Sequence, residues 1–351
     1  MRSGAKIVVA PGMDPTAVNR MFSVPEAFVS MCKIVREDES TGFLNPTQAQ
    51  VRTIRAIEAN KWTFVTKYRQ AKITTITLMH LLLRDCMYLQ GIAGMLIADT
   101  NATAEMAFKR LRFAYESLPE PVKMPLAAGS KGSKKELEFI HGGNIIIKSL
   151  EGRAPAVGHS IDRLHITELG EAIHQQKAII NLFPGINKRP NAKLVIESTP
   201  GRAGSFHERM WHEALRREGQ FFPLFLEWWK DETCRIPAPK DFVPTEAELD
   251  YMGAHHGMDL DNLFFMRTRL RSEFVGDTRL YSAKYPSDAY DGWIGSQRPM
   301  MPEDVLRRLL DRAIEDPQEG SHGCGEFERP MEGREYEVYA DPTGFGSVGD
   351  P

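Results

Sequence analysis

The segment from Trp62 to Thr75, with the sequence WTFVTKYRQAKITT, constrains the fold of this chain more than any other. Its β-branched and aromatic start predicts a strand over Trp62–Thr66, and the apolar run that follows predicts a helix over Thr75–Met87. A basic, hydroxyl-rich loop joins the two. A strand, a tight loop and a helix N-terminus in this order are typical of phosphate-binding sites, because the first N–H groups of the helix point at the anion.

This loop contains no glycine, although glycine normally supplies the positive φ that such a turn requires. Ala71-Lys72 must therefore either bear strain or adopt a different turn. A nucleotide site needs positive charge around the phosphates, which Lys67, Arg69 and Lys72 can supply. It also needs a hydroxyl at the helix start to hold Mg²⁺, and Thr74 or Thr75 can provide one. The alternative interpretation is a basic surface loop between a strand and a helix.

Apolar segments that alternate with amphipathic ones predict the rest of the architecture. Further strands are predicted at Gly94–Ala98, Arg163–Thr167 and Leu194–Glu197, with helices between them, and Leu137–Ile140 and Ile145–Ser149 predict a hairpin around His141-Gly142-Gly143-Asn144. Buried strands that alternate with helices favour an α/β fold with a mostly parallel sheet covered on both faces. Thr245-Glu246-Ala247-Glu248 is a capping box that predicts a later helix.

Composition excludes several classes of protein. The net charge of −3 provides no overall attraction to nucleic acid, so any such contact must come from a local basic patch. The four cysteines are far apart and form no CxxC pair, which argues against a structural zinc site or a disulfide framework and fits a reducing cytoplasm. No segment is long and apolar enough to predict a membrane span.

Two more predicted strands end in polar residues. Arg163-Leu-His-Ile-Thr-Glu168 resembles the Walker B arrangement, in which a glutamate polarises the attacking water and the preceding residue helps to hold Mg²⁺. That preceding residue is Thr167 here instead of aspartate. Leu194-Val-Ile-Glu-Ser-Thr-Pro200 ends in small hydroxyl residues, as do segments beside the γ-phosphate in helicase-like ATPases. Each segment alone could also be a strand followed by a solvated turn.

Taken in this order, the segments resemble the large subunit of a tailed-bacteriophage terminase, the ATP-driven motor that packages DNA into the procapsid. LNPTQAQ resembles its adenine-recognition segment, KYRQAKITT its phosphate loop, GRAPAVGHSIDRLHITELGEA its Walker B region and LVIESTPGRAGSFHERMW its coupling motif. KYPSDAYDGW resembles the end of its lid, and YADPTGFGSVGD the first strand of its RNase H-like nuclease. The resemblance covers residues 44–351 and implies a P-loop, RecA-like core with a small helical lid.

The resemblance also implies residue roles, with ATP and Mg²⁺ as the bound groups. The ATP-binding residues would be Gln50, Lys67, Arg69, Gln70, Lys72, Thr74 and Thr75. Thr74 would hold Mg²⁺, Glu168 would be the catalytic base, and Ser198 and Thr199 would couple hydrolysis to the lid. Arg69 would stabilise the γ-phosphate. Arg153 would be an arginine finger that reaches a neighbouring subunit, with Arg202 as the rival candidate.

The implied organisation has four parts: an N-terminal arm (1–44), the ATPase core (45–230), a lid and linker subdomain (231–330) and the first strand of a nuclease domain (331–351). Asp341 would be the first metal ligand of that nuclease, with Asp350 a weaker second. A two-metal nuclease needs further carboxylates, so we expect no DNA cleavage by this chain. The partners implied are double-stranded DNA, a portal protein, a small terminase subunit and further copies in a pentameric ring. The implied location is the procapsid portal vertex in the host cytoplasm, without a membrane.

Two alternative functions stay open from the sequence. One is a superfamily-2-like DNA helicase or translocase, which should carry a second RecA-like domain. The other is a degenerate nucleotide-binding scaffold without turnover, which the missing glycine and Thr167 favour.

Overall fold

A seven-stranded sheet is the central element of this fold, which we describe from a computed structural model. The structure describes residues 6–36, 38–130, 133, 135–151, 160–172, 175–187, 191–293, 318–319 and 325–326. It divides into two units, Met1–Arg298 and Pro299–Pro351. The described residues of the second unit are Gln318–Glu319 and Gly325–Glu326, which pair as antiparallel strands. The predicted nuclease strand with Asp341 lies outside the described residues.

The sheet of the first unit is mostly parallel, which confirms the predicted α/β class. In chain order, the strands of this unit are β1 (Lys33–Val35), β2 (Thr41–Phe43), β3 (Trp62–Thr66), β4 (Ala93–Ala98), β5 (Glu136–Glu138), β6 (Asn144–Ser149), β7 (Arg163–Thr167), β8 (Lys193–Ser198) and β9 (Phe222–Phe225). β1 and β2 form a separate antiparallel pair. The spatial order in the main sheet is β5-β6-β4-β7-β8-β3-β9. β5 and β6 form the predicted hairpin and are antiparallel, whereas the other neighbours are parallel.

Helices connect the strands and cover both faces of the sheet. They are α1 (Pro15–Ser23), α2 (Gln48–Ala59), α3 (Ile73–Thr77), α4 (Asp85–Tyr88), α5 (Asn101–Glu116), α6 (Gln175–Asn187), α7 (Phe206–Leu215), α8 (Glu246–Ala254), α9 (Leu260–Ser272) and α10 (Thr278–Lys284). Single 3₁₀ turns are Val29–Met31, Glu120–Val122, Ala128–Ser130, Leu169–Glu171, Trp228–Lys230 and Glu232–Cys234. The predicted capping box at Thr245 is confirmed at the start of α8.

The helix after the phosphate-type loop differs from its prediction in two ways. It begins at Ile73 instead of Thr75, because Lys72 adopts the left-handed conformation with φ 56° and so sets the first helical residue. Between α3 and α4 the backbone is π-helical over Leu78–Arg84. Ile73 to Tyr88 is therefore one continuous helical segment with an α–π–α course.

Alternate residues of each strand pack on opposite sides of the sheet. On one side, Val65, Leu96 and Val195 pack with α1, α2, α5 and the helical segment that starts at Ile73. On the other side, Phe64 and Ile97 pack with α6 and α7. Neither face of the central strands is exposed, and β4 is accordingly apolar (AGMLIA), whereas β7 and β8 also contain buried polar residues.

Residues of the predicted N-terminal arm and lid also contribute to the buried interior. Met21 of α1 and Phe28 are almost fully buried in the same cluster as α2. Trp228 is fully buried and stacks on Phe265 of α9. Among the described residues, no helix has the length and apolarity needed to cross a membrane.

Candidate nucleotide site

The three segments singled out from the sequence lie on adjacent strands. β8 lies between β7 and β3, and all three run parallel. Thr66 of β3 is aligned with Ser198 of β8, and Thr167 of β7 is aligned with Glu197 of β8. The residues that follow the carboxyl ends of these strands therefore form one polar cluster, where open α/β sheets usually bind ligands.

Lys67, the first residue after β3, joins two carboxylates of this cluster. Its Nζ lies 2.7 Å from Glu168 Oε1 and 2.8 Å from Glu197 Oε2, and its side chain is only 6% exposed. Burial by itself would lower the pKa of the Lys67 ammonium, but the two carboxylates raise this pKa above its usual range. Lys67 is therefore a permanently charged, buried cation.

Glu197 is a site residue that the sequence analysis did not single out. Its side chain is fully buried, and its Oε1 accepts a hydrogen bond of 2.7 Å from the Thr74 hydroxyl. His165 Nε2 lies 3.4 Å from the same oxygen. Burial by itself would raise the pKa of Glu197, but Lys67 and His165 hold this pKa well below its usual range. The available signal was an ionisable residue in the otherwise apolar strand LVIES, since buried charges are rare without a partner.

Three oxygen-bearing side chains meet at the start of the helix. Thr74 Oγ1 lies 3.2 Å from Thr167 Oγ1, in addition to its contact with Glu197. Mg²⁺ prefers oxygen ligands and is usually held by one or two protein groups together with substrate phosphates. The donor set fits such an ion, and no cluster of three or more His, Cys, Asp or Glu side chains suited to a metal occurs among the described residues.

The loop between Lys67 and Ile73 bears backbone strain. Gln70 has φ 66° and Lys72 has φ 56°, both in the left-handed region that favours glycine. Glu168, after β7, has φ 53° and ψ 42°. Of the two possibilities left open by the sequence, the loop therefore adopts the positive-φ turn without glycine.

Gln50 contacts the loop from α2, and Arg69 of the loop contacts the end of α10. Gln50 Nε2 donates to the Ala71 carbonyl at 3.1 Å, while its Oε1 accepts from the Thr47 N–H at 3.1 Å in the capping box of α2. The Arg69 N–H donates to the Lys284 carbonyl at the end of α10, at 2.7 Å. The Arg69 side chain is 52% exposed, and its nearest carboxylate is that of Glu273 at 3.9 Å.

Ser198 links the end of β8 to the turn that contains Glu168. Its hydroxyl accepts a hydrogen bond of 3.0 Å from the Gly170 N–H. The backbones approach closely here, since a Cβ on Gly201 would lie 2.6 Å from the Gly170 carbonyl oxygen. Thr199 is buried beside this contact.

The structure thus brings together some of the predicted site residues but not others. Lys67, Thr74, Glu168 and Ser198 converge, with Thr199 next to them, whereas the side chains of Gln70, Lys72 and Arg202 are exposed and Thr75 is partly buried. The proposed arginine finger, Arg153, lies outside the described residues.

Comparison with known proteins supports the same type of fold. No family model and no curated protein matches the sequence. The structure is similar to the HK97 bacteriophage large terminase, with a TM-score of 0.54 and 14% identity over 85% of this chain and 60% of that one. It also matches the Thermus phage P74-26 large terminase ATPase domain (TM-score 0.46, 14% identity, 70% of this chain and 94% of that one) and S. cerevisiae Dbp5 bound to Gle1 (TM-score 0.35, 11% identity, 88% and 72%).

The chain accordingly has a RecA-like α/β fold of the large terminase ATPase type. At 14% identity this likeness defines the fold alone, and the chain spans 60% of the length of the HK97 protein.

Proposed function

We propose that this chain binds ATP with Mg²⁺, hydrolyses it at the carboxyl edge of β3, β8 and β7, and uses the energy to move double-stranded DNA into a viral procapsid. The observation that carries the proposal is the buried contact of Lys67 with both Glu168 and Glu197, at a strand–loop–helix junction. Buried ionisable residues in a cleft at strand ends are typical of functional sites.

The residues present suit phosphoryl transfer, in which catalysis consists mainly of positioning and charge stabilisation. Lys67 supplies a fixed positive charge for the phosphates. Glu168 is the part of the cluster that reaches solvent, since its side chain is 27% exposed, and it can accept a proton from the attacking water. Thr74 and its neighbours would hold Mg²⁺, which neutralises charge on the phosphates. Gln50 would contact the base, and Gln70, Lys72, Thr75 and Arg69 would complete the nucleotide site.

The packaging role extends this ATPase proposal to partners. Its support is the fold shared with the HK97 large terminase, together with the quoted motifs. In this proposal the chain forms a ring on a portal protein, works with a small terminase subunit and receives Arg153 from a neighbouring copy. Ser198 and Thr199 transmit hydrolysis to the helices between Glu246 and Lys284.

The test measures phosphate release by the purified chain with double-stranded DNA and a portal protein. We expect Glu168→Gln to lower kcat by roughly 10²–10⁴-fold, the usual contribution of a general base. Glu171→Gln is the matched control, because Glu171 lies in the same turn but is half exposed and pairs with Lys284. Equal activities of wild type and Glu168→Gln would refute the proposal.

Two further measurements separate the alternatives. Nucleotide binding by wild type that is lost in Lys67→Ala supports the site, whereas absence of binding by wild type would favour a structural scaffold, and binding without turnover would favour a nucleotide-locked switch. Strand separation on a forked duplex would favour the helicase alternative over packaging.

A further inference from the structure

We infer that Glu197 supplies the metal-site carboxylate that the Walker B strand of this chain lacks, and that it anchors Mg²⁺ together with Thr74. This inference rests on the proposed ATPase function. It adds a residue that is not a Walker B position by sequence and lies on a different strand.

The strand register places Glu197 beside the Walker B strand. The Walker B position before Glu168 is Thr167, whose side chain has no charge. Thr167 is aligned with Glu197 on the adjacent parallel strand β8. Aligned residues on neighbouring parallel strands lie side by side and point to the same face of the sheet. A carboxylate at Glu197 therefore serves the same part of the sheet edge as one at residue 167.

The contacts of Glu197 connect it to the predicted metal ligand. Thr74 is the hydroxyl residue at the start of the helix, and its Oγ1 lies 2.7 Å from Glu197 Oε1 and 3.2 Å from Thr167 Oγ1. Glu197 thus holds the hydroxyl that is expected to bind the metal. Mutation of a group that orients a metal ligand typically lowers metal affinity or activity by about 10- to 100-fold.

Glu197 is a second carboxylate for the ammonium of Lys67 and also lies 3.4 Å from His165 Nε2. Glu197 is fully buried, and a buried carboxylate is costly unless it is paired. As a partner for Lys67 alone it would be redundant, because Glu168 already lies 2.7 Å from the same ammonium and remains partly exposed. A second, fully buried carboxylate adds negative charge next to Thr74, which is what a divalent cation at that hydroxyl requires.

The test measures Mg²⁺-dependent binding of a fluorescent, non-hydrolysable ATP analogue, so that the readout does not depend on turnover. Wild type is titrated with analogue in Mg²⁺ and in EDTA, and the concentration of Mg²⁺ that gives half of the Mg²⁺-dependent signal is determined. We expect Glu197→Gln to raise that concentration by about 10- to 100-fold and to leave binding in EDTA within about twofold of wild type. Glu171→Gln should match wild type in both conditions.

A rescue variant makes the test specific to the position of the carboxylate. Thr167→Asp, added to Glu197→Gln, returns a carboxylate to the aligned position and is expected to recover most of the Mg²⁺ affinity. The double variant also keeps the number of carboxylates in the cluster unchanged, so it covers the case in which Glu197→Gln does not fold. Failure of the folded double variant to recover affinity would overturn the inference.

The outcomes distinguish this inference from the proposed function. Wild type that binds the analogue with Mg²⁺ dependence, together with Glu197→Gln that binds it equally well, refutes the role of Glu197 and leaves the ATPase proposal intact. Wild type without Mg²⁺-dependent binding refutes both. A loss of kcat in Glu197→Gln at unchanged Mg²⁺ affinity also refutes the metal role, because Glu197 would then act in proton transfer.

Discussion

The glycine-free loop leads to a prediction about stability whose sign is unusual. Lys72 has φ 56°, where a Cβ approaches the following carbonyl at a cost of about 1–2 kcal/mol. Glycine avoids this cost but loses about 0.4–1 kcal/mol through its more disordered unfolded state. Lys72→Gly should therefore be more stable than Lys72→Ala by about 0.8 kcal/mol, the difference between the central values of these two terms. The comparison of Gly with Ala cancels whatever the lysine side chain contributes.

Urea unfolding provides the assay, and Lys109 provides a matched control. Lys109 is an exposed lysine inside α5, where glycine is expected to be less stable than alanine by about 1 kcal/mol. The free energies of unfolding of the Ala and Gly variants should therefore differ with opposite signs at the two positions. If glycine destabilises the protein relative to alanine at position 72 as it does at position 109, the strained turn is refuted.

Three further predictions concern buried groups and a close backbone contact. Lys67→Met should lower the free energy of unfolding by about 3 kcal/mol, because it leaves buried carboxylate charge without its cation. Adding Glu197→Gln to Lys67→Met should recover part of this loss. If urea unfolding shows no recovery, the ion pair is contradicted. Burial lowers the pKa of His207 to about 3, whereas the pKa in the unfolded state is about 6.5. The stabilising contribution of neutral His207 is therefore complete above pH 6.5 and is lost as the pH falls towards 3, so between about pH 6.5 and 5 the free energy of unfolding of wild type should fall by about 1.5 kcal/mol more than that of His207→Gln. Parallel pH profiles of the two proteins would refute this prediction. Gly201→Ala should lower the free energy of unfolding by about 1–3 kcal/mol, because its Cβ would lie 2.6 Å from a backbone oxygen. Gly253→Ala in α8 is the control: its Cβ would have no atom within 4 Å, so this variant should be as stable as wild type or more stable. Equal thermal melting points of the two variants would contradict the close contact at Gly201.

The strands were predictable from the sequence because they are short runs rich in β-branched, aromatic and aliphatic residues. Trp62–Thr66 and Arg163–Thr167 have the bounds that their β-branched and aromatic residues predict. Both strands are neighbours of β8 in the sheet, which is a tertiary property that only the family resemblance indicated. Periodicity predicted a helix after the loop, but not its π-helical part over Leu78–Arg84, because the same residues satisfy both helix types. The contact of Arg84 with Glu58, at 2.7 Å, joins two different parts of the chain and has no local signal.

The candidate site was predictable where one segment carries the chemistry, and it was missed where two strands share it. Lys67 and Thr74 lie in one loop, so residue type and spacing indicated both. The role of Glu197 follows from its alignment with Thr167 and from its hydrogen bond with Thr74, and neither can be read from the sequence. By motif comparison, Thr167 means that the Walker B carboxylate is missing, whereas the folded sheet has a carboxylate, Glu197, on the neighbouring strand.

The end of β8 explains how a strained site can persist. Gln70, Lys72 and Glu168 are three of the six non-glycine residues with positive φ among the described residues, and each costs about 1–2 kcal/mol. Such strain persists only where the surroundings hold the backbone, and it concentrates at functional sites. The carbonyls of Glu197 and Ser198 accept hydrogen bonds from the N–H groups of Glu168 and Lys67, at 2.8 and 3.0 Å. The end of β8 therefore supports both the start of the loop at Lys67 and the turn at Glu168. A displacement of Ser198 would move these two segments together. This common support is the physical reason to expect that a change at the coupling motif alters phosphate binding and proton transfer at once.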